Sequence, residues 1–165
     1  MIVTPLLVIF LLIVFVLLFL FLNTVDKRKW LTGLISLGLT PLVFFFMFYP
    51  FLNIISNYHH QKYFDSEAWI EKPALRYEMI DNTIASDTLI GVSKDEVTIL
   101  LGKAEWLTWD DAKKVHDTNK WNYGLGIEPG AFTDKRECVE ITFKDDKVIA
   151  LKSYQKEITF GNENK

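Results

Sequence analysis

Two long apolar runs open the chain, and alternating or helically spaced apolar positions broken by polar turns follow them. Residues 1–22 contain no charged side chain, and residues 30–56 contain none either. At about 1.5 Å of rise per helical residue, each run can cross a hydrocarbon core of roughly 30 Å. Two transmembrane helices are therefore expected, at 1–22 and 30–56. A basic loop, 23–29, lies between them, and a polar neck, 57–64, follows.

Beyond the neck the period changes. Across about 65–86 the spacing predicts helix, with Pro73 dividing it or opening its main part. Leu75, Met79, Ile80 and Ile84 recur on one face, and Arg76 and Glu78 are expected beside it in solvent. The stretch GVSKDEVTILLG, residues 91–102, reads as a complete short helix. Ser93 and Glu96 have capping-box spacing, Val92 and Val97 the spacing of a hydrophobic staple, and Gly102 suits a left-handed stop. So short a helix is unstable alone, because nucleation outweighs its few hydrogen bonds, and it needs an apolar surface to lie on.

Three strands are expected to supply that surface. Trp121, Tyr123 and Leu125 alternate within 120–125, and Val139, Ile141 and Phe143 oppose Cys138, Glu140 and Thr142 within 137–144. A third strand at 148–154 follows the turn at 144–147, which lacks the usual glycine. The expected fold class is α+β: two transmembrane helices, then two helices packed on a three-stranded antiparallel sheet over residues 65–157, with a flexible tail at 158–165.

The first run is expected to be retained and not cleaved as a signal peptide. It has no basic n-region, is too long and lacks a small-residue cleavage site. Lys27, Arg28 and Lys29 cluster in the loop, so the positive-inside rule places 23–29 in the cytoplasm and both termini outside, as a two-pass protein of the cytoplasmic membrane. Neither run holds Asp, Glu, Lys, Arg or His, so both read as lipid-facing anchors and not as an ion path. Pro41 and Pro50 are expected to kink the second helix. Gly33 and Gly38 lack the G-x-x-x-G spacing of a helix-contact face.

The run GVSKDEV at 91–97, then LLGK at 100–103, WNYGLG at 121–126 and ITFKDDKV at 141–148 resembles the SmpA/OmlA (BamE-like) domain family over about residues 76–154. There a capped helix precedes an aromatic-x-L-G strand and an F-x-[DN]-G-x-V hairpin. Ala104 stands where that family usually has proline, and Asp146 where it usually has glycine. The resemblance implies a two-helix, three-strand fold and a non-catalytic role in the cell envelope, as an accessory to membrane-protein assembly or integrity.

Composition adds little chemistry. The net charge is −3, and all but Asp26 of the 21 acidic residues and all but Lys27, Arg28 and Lys29 of the 18 basic ones lie beyond the apolar runs. No basic stripe marks a nucleic-acid partner. The one cysteine, Cys138, reads as a half-buried strand residue, and His59–His60 as interfacial polar residues. No metalloprotease, redox-pair, nucleophile-elbow or phosphate-loop motif occurs, and no cofactor or metal is expected. Asp110, Asp111, His116 and Asp117 place carboxylates near an imidazole, which is either a small acid–base site or an ordinary solvated loop. Trp106, Trp109 and Phe132 stand out on the connections flanking Trp121. They are the expected protein interface, or else core-capping residues, with Trp106 and Leu107 beginning an extra edge strand. The expected partners are the lipid bilayer and either another envelope protein or a second copy of the chain, making the protein a membrane-anchored binding module or a self-associating scaffold.

Overall fold

The computed structural model describes residues 1–157; the expected flexible tail, 158–165, lies outside the described residues. The described chain divides into two compact units, one of residues 2–59 with 129–131, the other of residues 60–128 with 132–157.

The first unit is a helical hairpin. Helix α1 spans Pro5–Val25. Thr4 caps it by accepting the Leu7 N–H at 3.3 Å, and Pro5 sits at the start, where its missing N–H breaks no bond. Helix α2, Lys29–Val43, runs through a π-helical turn at Phe44–Phe48 into α3, Tyr49–Ile55. That wide turn falls between Pro41 and Pro50, each of which removes one backbone donor from the ladder; it is the form the expected irregularity takes. Two helices, Pro5–Val25 and Lys29–Ile55, are long and apolar enough to cross a membrane.

The hairpin packs on Leu7, Val14 and Phe44, flanked by Phe10, Leu11 and Phe48. One face of α2 departs from the expectation of purely lipid-facing bulk. Thr32, Ser36 and Thr40, four residues apart, are buried to 2%, 0% and 6% exposure. Their hydroxyls donate to the carbonyls four residues earlier, at 3.2, 2.7 and 2.7 Å. Small side chains whose polar atoms are satisfied within their own helix allow close packing in an apolar setting. Gly33 and Gly38 meet only open space. Most of the remaining bulk points outward, as at Leu12, Leu17, Leu20 and Phe46.

Among the described residues the second unit is α+β, with three short helices and four strands. Helix α4, Ser66–Glu71, is capped by Asp65, which accepts the Ala68 N–H at 2.7 Å. Pro73 lies in the turn before α5, Tyr77–Ala85, so it divides the expected helical region. Helix α6, Lys94–Leu101, carries the full capping box: Ser93 Oγ accepts the Glu96 N–H, and Glu96 accepts the Ser93 N–H at 3.0 Å. Gly102 ends it at φ 80° but with an extended ψ of −175°, a positive-φ stop outside the usual left-handed well.

Strands β1 (Trp106–Asp110), β2 (Val115–Gly126), β3 (Lys135–Lys144) and β4 (Lys147–Glu157) form an antiparallel meander in the order β1-β2-β3-β4. The sheet thus has four strands and not three. The added strand pairs Trp106 with Asn122 and Leu107 with Trp121, then crosses an irregularity before Thr108 meets Asp117. The β3–β4 turn lacks glycine yet keeps tight geometry, with Asp145 and Asp146 at φ 49° and 64°.

The core lies between the helices and one sheet face. Trp69, Tyr77, Met79, Ile80, Leu89, Val97 and Leu101 meet Tyr123, Leu125, Val139, Ile141, Phe143 and Val148. Each large side chain buried there contributes on the order of 2 kcal/mol, which is what holds the short helices. The chain entering α6 is also stitched to the hairpin turn, through Gly91 N–H to the Val148 carbonyl and Val148 N–H to the Val92 carbonyl, both at 2.9 Å.

Candidate functional site

All three helices contribute to the core on one face of the sheet, and the opposite face carries the cluster best suited to recognition. Strand register builds it. Trp106 pairs with Asn122, Asn122 with Glu140, and Glu140 with Lys152, so one row of side chains crosses all four strands. The neighbouring row is Gly124, Cys138 and Tyr154, and beyond it Arg136 pairs with Lys156. Directly opposed residues share a face.

A polar network holds the centre. The Asn122 side chain, 1% exposed, accepts from the Tyr154 hydroxyl at 2.8 Å and donates to Thr108 Oγ1 at 2.9 Å. Thr108 in turn donates to Glu140, which also lies 3.9 Å from Lys120. A buried amide with its partners in place orients the strands it joins. Burial raises the Tyr154 phenol above its ordinary range, and burial likewise raises the Cys138 thiol, so neither is poised for reaction at neutral pH. Cys138 is fully buried, more so than expected.

Trp106, Thr108, Trp109, Asn122, Lys152 and Tyr154 are among the residues lining a shallow cleft of about 550 Å³. Of the expected interface, Trp106 and Trp109 therefore share one cleft. Trp109 is 48% exposed, and its ring meets His116 edge-on at 5.1 Å. Phe132, 93% exposed, stands on the β2–β3 connection and does not line that cleft. Asn122, Thr108, Glu140 and Tyr154 were not expected at the site. Alternation within β2–β4 put Asn122, Glu140 and Tyr154 on this face, but Thr108 and the network that joins them depend on β1.

A second cavity, about 340 Å³, lies by Pro73, Ala74, Glu105, Gly124, Gly126 and Arg136. Beside it is a partly buried ion pair. Arg76, expected in solvent, is 6% exposed and donates to the Trp69 carbonyl at 2.7 Å, the Gly124 carbonyl at 2.9 Å and the Glu105 carboxylate. Glu105 also accepts the Gly124 N–H at 3.0 Å. Glu78, likewise expected in solvent, has a largely covered side chain paired with Lys62. Both corrections share one cause: these charged residues have partners distant in sequence, which a local pattern does not reveal.

The candidate acid–base residues serve a turn. Asp110 accepts the Ala112 and Lys113 N–H groups at 3.0 and 3.1 Å, and the bond from Lys113 is the main reason its carboxyl is held below the usual range. Asp111 is highly exposed near Lys114, His116 lies against Trp109, and Asp117 accepts the Asn119 N–H at 2.9 Å. Among the described residues, no group of three or more His, Cys, Asp or Glu side chains could hold a metal ion. No family model, curated protein or solved structure matches the chain.

Proposed function

We propose that this chain is a membrane-anchored, non-catalytic protein-binding module of the cell envelope, in which the open face of the sheet receives the partner. The α1 and α2–α3 rods lie across the cytoplasmic membrane, with Lys27, Arg28 and Lys29 on the cytoplasmic side and the α+β unit outside. Supporting this is the outward apolar bulk of both rods, which water would not tolerate over so large a surface. The loop's three basic residues support the orientation. A BamE-like identity, and with it an accessory part in membrane-protein assembly or envelope integrity, is supported by the order of capped helix and meander.

The observation that carries the binding role is the open sheet face, where Trp106 and Trp109 flank a cleft whose floor is a fixed polar network. Rigid aromatics beside a preorganised polar floor are suited to protein recognition, because little ordering entropy remains to be lost on binding. The test is site-specific photocross-linking in native membranes, from Trp109 and Lys152 on this face and from Lys72 on the helix connection. One protein captured from the first two positions and absent from the third supports the proposal. Capture of only a second copy would replace it with self-association, and equal capture from all three would refute it.

A further inference from the structure

The open face has a charge pattern that folding does not account for. Arg136 and Lys156 are directly opposed across β3 and β4, and Lys152 lies on the same face. Like charges so placed destabilise a strand pair. Glu140, opposite Lys152, is occupied by Thr108 and Lys120, and Glu105 is occupied by Arg76 and the Gly124 N–H. Among the described residues, Arg136, Lys152 and Lys156 form no salt bridge. Lys156 lies over the Trp106 ring, 5.6 Å from its centroid, which keeps its charge beside the cleft. A chain of net charge −3 has thus gathered on one face three cations that form no salt bridge among the described residues. Like charges gathered against a local pairing rule are expected at functional surfaces.

We infer that this face docks an extended acidic peptide segment of the partner, its carboxylates meeting Lys152, Lys156 and Arg136 and an adjacent apolar side chain entering the Trp106–Trp109 cleft. The inference rests on the binding-module reading and names the partner's chemistry. Geometry selects a chain over a single anion. Lys152 and Lys156 are four strand residues apart, about 14 Å, a distance that carboxylates at positions i and i+4 of an extended peptide reproduce and one phosphate does not. The Trp106 and Trp109 rings add apolar surface beside the cations, which an acidic polymer without side-chain variety would leave unused.

The test uses the full chain in neutral detergent and a short fluorescein-labelled peptide of alternating glutamate and serine ending in tryptophan, followed by fluorescence polarisation. Binding is expected to weaken with salt, and to be lost when glutamine replaces glutamate. Arg136→Gln, Lys152→Gln and Lys156→Gln together are expected to weaken it about tenfold, the sum of three partly exposed ion pairs. Lys72→Gln, Lys113→Gln and Lys114→Gln make the same change in net charge elsewhere and are expected to leave it unchanged. Far-UV circular dichroism confirms that both triple variants fold. Equal weakening by the two triples, or no binding of the acidic peptide, overturns the inference, as does a preference for inorganic polyphosphate or anionic vesicles over the peptide. If photocross-links from Trp109 still capture one protein, the binding-module reading survives that failure; if they capture none, it is the reading that falls.

Discussion

Replacing Glu105 by Gln tests the partly buried ion pair that joins the start of α5 to the sheet. Arg76 is 6% exposed, and its guanidinium lies 5.1 Å from the Trp69 ring centroid. Breaking a fully buried pair costs about 3–5 kcal/mol, because the remaining charge is left without a counterion. The Glu105 side chain is 38% exposed, and glutamine keeps one acceptor, which together reduce the expected loss to about 2 kcal/mol. Arg76→Met removes the charge but leaves the Trp69 and Gly124 carbonyls without their donor. At about 1–3 kcal/mol for each, the expected loss is about 3 kcal/mol. With both substitutions present, the unpaired charge disappears, so the double variant should lose about 1 kcal/mol less than the sum. Urea unfolding of the full chain in neutral detergent reads these differences through tryptophan fluorescence, since four of the five tryptophans lie in the α+β unit. A Glu105→Gln loss below about 0.5 kcal/mol, or strict additivity in the double variant, would refute the reasoning.

Other substitutions probe the turns and the core. Gly126 has φ 101°, and an added Cβ would lie 2.2 Å from the Ala74 carbonyl oxygen, so Gly126→Ala should cost on the order of 3 kcal/mol or more in the same unfolding assay. Asp146 adopts φ 64° in the β3–β4 turn; Asp146→Gly removes left-handed strain, keeps the carbonyl that accepts the Lys94 N–H, and should stabilise by about 0.5–1 kcal/mol. The Tyr123 hydroxyl donates to the Gly102 carbonyl at 3.0 Å, and burial raises its phenol well above the ordinary value of 10.0. A group whose pKa is raised by folding gives its full stabilisation below its unfolded value and loses it as pH climbs toward the folded one. Stability should therefore fall above pH 10.0, and Tyr123→Phe should flatten that alkaline limb while costing about 1 kcal/mol at neutral pH.

Local signals carried much of this architecture. The Ser93–Glu96 box and the Val139, Ile141, Phe143 alternation are short-range patterns whose physics is complete within a few residues, and both stand in the structure where they were expected. Strand β1 was harder to see because it is five residues long and does not alternate in polarity. Its partners on β2 fall in two blocks, Trp121 and Asn122 and then Val115, His116 and Asp117, because the pairing shifts between Leu107 and Thr108. Arg76 and Glu105 are 29 residues apart, so nothing near either one announces that both are needed at one place. Local hydrogen bonding by Ser36 and Thr40 was legible beside Pro41, but glycine spacing alone does not reveal that Thr32, Ser36 and Thr40 form one buried line. At the site, Trp106 and Trp109 stood out by size, whereas Asn122 and Tyr154 gain their roles only when four strands come into register.

The central claim is that a membrane separates the basic loop from the α+β unit, and thiol labelling with a membrane-impermeant reagent tests it most directly. Cys138 is fully buried and serves as the silent background. In intact cells, Lys113→Cys, at a position whose side chain is 75% exposed, should label at once, and Lys27→Cys only after permeabilisation. Labelling of both positions from the same side, or of Lys27→Cys alone in intact cells, would contradict the account.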